Sequence, residues 1–101
     1  MNSNDFYWSE SGDPKVRDGG LLGRYLETDV QGSIEVGRAG LDYLERGRDG
    51  EELSGNAHTL RIDADAVYLE CDFTDETGSL SLAAFQGLVR TWCEFLDRGP
   101  G

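Results

Sequence analysis

The chain is short of positive charge. Its 101 residues carry nine lysines and arginines against twenty aspartates and glutamates, a formal net charge of −11. A surface of that sign repels phosphate backbones and anionic lipid headgroups, so direct nucleic-acid or membrane-surface binding is not expected. Cysteine is nearly absent. Cys71 and Cys93 are the only two, too few for a disulfide scaffold, and each is read as a small buried hydrophobe that stays reduced. Histidine occurs once, at His58. No apolar run is long enough to span a bilayer. The opening "MNSNDFYWSE" shows neither a basic leader nor an apolar stretch, so a cytoplasmic protein is expected.

What remains is enough for a core. Hydrophobic residues make up 38% of the chain and aromatic residues 10%, which suits one small domain over residues 1–101. Phe6 and Trp8 alternate with Tyr7, and "SGDP" follows as a turn before Lys15, Val16 and Arg17, predicting an opening hairpin closed by "DGG". "LLGRYLE" is ambiguous, because Gly23 weakens a helical reading. A helix is predicted from about Asp29. Val30, Ile34, Gly37, Leu41 and Leu44 form its inner stripe, Thr28 or Asp29 caps it, and Gly47 ends it. Gly37 on that stripe marks close approach to a neighbour.

"GRDGEELSGN" reads as a polar connection. Two strands follow: Leu60 and Ile62 point inward in the first, Val67, Leu69, Cys71 and Phe73 in the second, joined by "DADA". "TGSL" resets the chain, and Ser79 or Ser81 caps the strongest helix. Leu82, Phe85, Leu88, Val89, Trp92, Phe95 and Leu96 give that helix a broad apolar face, and residues 97–101 form a short flexible tail. The expected class is α+β: a small antiparallel sheet of about four strands packed against two main helices, in the order β-β-α-β-β-α.

The segment "IDADAVYLECDFTDET" holds six acids, at Asp63, Asp65, Glu70, Asp72, Asp75 and Glu76, and no base. A calcium loop fails here, because Val67 and Tyr68 stand where a ligand and a turning glycine are needed. Zinc fails as well: His58, Cys71 and Cys93 show no ligand spacing. No phosphate loop is present, and pairing His58 with Ser54, Ser79 or Cys71 as a catalytic set has no spacing to support it. Neither a metal nor a cofactor is expected. Glu70 and Asp72 fall on the outer strand face, since the inner register belongs to apolar side chains. Asp63, Asp65, Tyr68, Glu70, Asp72, Asp75 and Glu76 are therefore the candidate contacts for a basic protein partner, with the plain alternative that the acids only keep the chain soluble.

"HTLRIDADAVYLECDF" followed by "DETGSLSLAAFQGLVRTWCEFL" resembles the YacL-like family of small acidic bacterial proteins. The residues carrying the likeness are Thr77, Ser79, Leu80, Ser81, Leu82, Trp92 and Phe95, and the acidic connector here is shorter than the family's. The resemblance implies a bacterial cytoplasmic protein and supplies no catalytic or ligand residue. By analogy of fold and charge, small acidic proteins of this kind serve as immunity proteins. The expected function is thus an interaction protein that neutralises a basic toxin domain, such as a nuclease. A regulatory or scaffold adaptor is the alternative, and a small enzyme using His58 is a third.

Overall fold

A computed structural model describes residues 3–17 and 20–100. The Asp18–Gly19 break after the first hairpin and Gly101 of the expected tail lie outside the described residues. Strand β1 (Phe6–Trp8) pairs antiparallel with β2 (Pro14–Val16), Phe6 opposite Val16. Helix α1 (Leu21–Tyr25) runs into a π-helical turn (Leu26–Val30), and α2 (Ile34–Arg46) follows. Strands β3 (Glu52–Ser54), β4 (His58–Asp63), β5 (Ala66–Cys71) and β6 (Thr77–Ser81) form one antiparallel sheet in chain order, and α3 (Leu82–Arg98) closes the fold.

The expected single sheet of about four strands against two main helices is therefore corrected. The described residues hold six strands in two sheets, of two and four strands, and three α-helices. Three local features account for the difference. Leu53 points inward between Glu52 and Ser54 within the supposed polar connection, and it pairs with Leu60. Gly78 and Leu80 turn inward while Thr77, Ser79 and Ser81 stay outside, so "TGSLS" is itself a strand along β5. The opening hairpin forms, but its aromatic face seeks α3 rather than the sheet. Phe6 meets Trp92 edge to face at 4.9 Å, and Trp8 stacks on Phe95 at 4.9 Å.

Helix α2 starts later than expected. Gln31 takes φ 56° and ψ −140°, a left-handed conformation unfavourable for a side chain that ends the π turn. Ser33 then caps α2 by accepting from the Val36 amide at 3.2 Å. Thr28 and Asp29, the expected caps, lie a full turn upstream and serve elsewhere. The expected inner Gly37 is a contact point: a Cβ there would sit 2.7 Å from Cys93 Sγ, so α2 and α3 approach closely enough that a side chain at this position would displace Cys93.

Helix α3 carries the core. Phe85, Leu88, Val89, Trp92 and Leu96 are buried on one stripe, and Ser81 caps the helix through the Ala84 amide. They meet Leu60, Ile62, Val67 and Leu69 from the inner sheet face, with Leu26, Val30 and Leu44 closing the side. The Trp92 indole N–H donates to the Gln31 carbonyl at 3.0 Å, so the largest core side chain has its polar atom satisfied by the bent turn. The helix includes Asp97 and Arg98, shortening the expected tail. Phe73 departs furthest from its expected place. It lies beyond the end of β5 and is 78% exposed, because the alternation that buries Val67, Leu69 and Cys71 ends with the strand.

Candidate protein-interaction surface

Strand alternation determines what the sheet shows to solvent. With Leu60, Ile62, Val67 and Leu69 inward, the opposite face carries Glu52 and Ser54 from β3, Thr59, Arg61 and Asp63 from β4, Tyr68 and Glu70 from β5, and Thr77 and Ser79 from β6. Register sets these in rows across the strands. Glu52, Arg61, Tyr68 and Ser79 form one; Ser54, Thr59, Glu70 and Thr77 form the next. Arg61 places its guanidinium 5.3 Å from the Tyr68 ring centre, a cation–π contact that holds both side chains flat on the face. A shallow groove of about 400 Å³ runs between the rows, lined by Glu52, Arg61, Tyr68, Glu70 and their hydroxyl neighbours.

The six acids of the sequence run do not form one patch. Glu70 lies on the open face, and Asp72 joins its edge by accepting from Thr59 Oγ1 at 2.8 Å. Asp63 ends β4 and Asp65 sits in the β4–β5 turn, both at the other end of the strands from Asp72 and separated from it by about the length of β5, roughly 20 Å at strand rise. Asp75 is in the exposed β5–β6 loop. Glu76 in the same loop pairs with Arg24 of α1, so part of its charge is already answered. Tyr68 is 43% exposed near the centre. Structure thus brings together Tyr68, Glu70 and Asp72 and leaves the other candidates at the rim.

Sequence reasoning missed the partners supplied by neighbouring strands. Arg61, Glu52, Thr59, Thr77 and Ser79 all belong to the face. The signal for the last two was present as the polar–small alternation of "TGSLS"; nothing in the sequence alone set Arg61 over Tyr68.

His58, at the start of β4, is 2% exposed. Its Nδ1 lies 3.0 Å from Asp29 Oδ1, and the same carboxylate accepts from the Ala57 and His58 amides at 3.1 and 3.0 Å. Asp29 has left the helix-capping role to hold the π turn against β4. Tyr25 meets the imidazole edge to face at 5.9 Å. Burial raises the Tyr25 phenol well above its ordinary value, and the Asp29 carboxylate adds to the rise. His58 Nε2 is buried without a hydrogen-bond partner. The ring lines neither the face groove nor the cavity beneath β6.

The two thiols are free. Thr74 hydrogen bonding lowers the Cys71 thiol from its ordinary value, whereas burial raises that of Cys93. Among the described residues no three His, Cys, Asp or Glu side chains gather as a metal-binding group, and no helix is long and apolar enough to cross a membrane. Comparison with protein-family models, curated proteins and solved structures gives no match to this chain.

Proposed function

We propose that this chain is a protein-interaction module that presents the open, acid-rimmed face of its four-stranded sheet to a basic protein. The observation carrying this reading is the one-sided sheet: the core covers one face, and the other exposes Tyr68 and Arg61 among Glu52, Glu70 and Asp72. Tyr and Arg are the residue types that most often anchor interfaces. The surrounding acids and the −11 charge steer a basic partner and orient it; they add little affinity individually, since exposed pairs are screened. The narrower reading is a bacterial immunity protein acting in the cytoplasm on a toxin domain. The charge supports the immunity reading by analogy with other small acidic proteins, and the YacL-like resemblance supports only its bacterial, cytoplasmic setting.

Affinity capture at low and high salt identifies the partner. Replacing Glu52, Glu70, Asp72 and Asp75 by their amides is then expected to slow association about tenfold at low salt, with little change in dissociation. Glu76 is left intact because of its pairing with Arg24. Unaltered association by a natively folded variant rejects the acidic surface as the docking site.

A further inference from the structure

The two edges of the four-stranded sheet are built differently. On one side β3 is three residues long and carries Glu52, the short, charged form that discourages further strand pairing. On the other, β6 is five residues of "TGSLS", without charge or proline. Its pairing parity is fixed at both ends: the Cys71 amide donates to the Glu76 carbonyl, and the Leu82 amide donates to the Asp65 carbonyl. The bonded positions are therefore the even ones, and Thr77 and Ser79 turn their amides and carbonyls away from β5. Among the described residues nothing pairs with those groups.

A second feature lies directly beneath this edge. A cavity of about 240 Å³ opens between β6 and the start of α1, lined chiefly by Leu21, Leu22, Leu69 and Phe85. Gly78 keeps it open: a Cβ there would stand 3.3 Å from Leu21 Cδ2. On the outer side of the same edge, Thr77 is opposite Glu70, and Asp75 and Glu76 lead into the strand.

We infer that β6 accepts an extended segment of the basic partner as a fifth, antiparallel strand, its alternate side chains basic over the acidic face and apolar over the Leu21–Phe85 cavity. This deepens the proposed function and rests on it. Main-chain bonds to Thr77 and Ser79 supply affinity, and the alternate sites on either side of the edge supply selection. A basic side chain set opposite Thr77 reaches back across one strand to Glu70, about 10 Å away at the spacing of two strands. A second copy of this chain fits the edge geometrically, but it brings a further −11 charge to the same acids.

The probe is a synthetic peptide of alternating lysine and valine, titrated at about 150 mM salt to suppress diffuse charge attraction. In an antiparallel pair, residues facing one another share a sheet face, so the lysine amides bond to β6 and the valine amides point to solvent. N-methylation of the lysine residues is expected to weaken binding at least ~10-fold, and N-methylation of the valines less than ~3-fold. The amides of Thr77 and Ser79 gain protection from hydrogen exchange on binding. Ser79→Pro removes the outward donor without breaking an internal bond, and it is expected to abolish the methylation pattern. The Glu70→Gln, Asp72→Asn double variant weakens the unmethylated peptide ~3-fold or more through charge alone. Loss in that variant with no discrimination between the methylated peptides overturns the edge inference and leaves the acidic-face reading standing. Discrimination without charge dependence, or no binding at all, overturns the basic strand as occupant. A concentration-dependent dimer that Ser79→Pro dissolves assigns the edge to a second copy and overturns the inference as well.

Discussion

The two faces of β5 differ more than any two regions of the molecule. Val67, Leu69 and Cys71 face a filled core, whereas Tyr68 and Glu70, one residue away on the same strand, face solvent. On the inner face each position is constrained by volume and by the absence of water. On the outer face it is constrained only by what sits across the strand, as Arg61 does for Tyr68. The inner face fixes register and stability. The outer face is left free to be selected for recognition, and that freedom is what a binding surface needs.

Breaking the inner face gives the largest effect. Leu69→Asp places a carboxylate in a site 1% exposed and removes its packing, so a loss of ~4 kcal/mol or more is expected in chemical denaturation. A loss below ~1 kcal/mol contradicts the inward register.

Next in size is the polar staple behind that face. Asp29→Ala strands the Ala57 amide, the His58 amide and the imidazole in a buried place, and ~3 kcal/mol is expected by the same measurement. Asn at this position keeps one acceptor and costs less. Equal losses for the two variants count against a hydrogen-bonding role.

A pH dependence follows from the buried phenols. Burial raises both Tyr25 and Tyr43 above the ordinary value of 10.0. The unfolded phenols ionise first, so the stability tied to these groups is complete below about pH 10 and is lost as pH rises through the folded values. Denaturation curves at about pH 9 and pH 11 are expected to show this fall, reduced in Tyr25→Phe. If the variant falls as steeply as the parent, Tyr25 is not the source.

The smallest effect is expected on the exposed side. Phe73→Ser is predicted to change stability by less than ~0.5 kcal/mol, since the ring lies beyond the strand in solvent. A larger loss places Phe73 in packing that its exposure denies.

The order of structural legibility matches this division. Wherever a single period governed burial, the sequence was readable: the β4–β5 alternation as far as Cys71, the α3 stripe and its Ser81 cap, and Gly37 against Cys93 all appear as expected. Segments governed by contacts between distant residues were not. Asp29 looked like a helix cap because caps are acidic and precede apolar stripes, yet its partner is His58, 29 positions away. The strands β3 and β6 show no readable period, because each turns a single side chain inward, Leu53 in one and Leu80 in the other. The acidic run looked like one patch because adjacency in sequence implies adjacency in space only within a strand or a turn. Six residues of β5 carry its two ends apart, and Arg61 and Arg24 arrive from elsewhere.

The placement of the opening hairpin has a consequence in time. The β3–β6 meander is made of strands that are neighbours in sequence, so each pairing closes a short loop and forms at little entropic cost. Phe6 and Trp8 instead wait for Trp92 and Phe95. On the ribosome the aromatic hairpin emerges before its receiving surface, by an interval of roughly 5–20 s at ordinary elongation rates. Until then the most aromatic stretch of the chain has nothing to lie against. The nascent chain is therefore exposed to aggregation at this hairpin until α3 has been made.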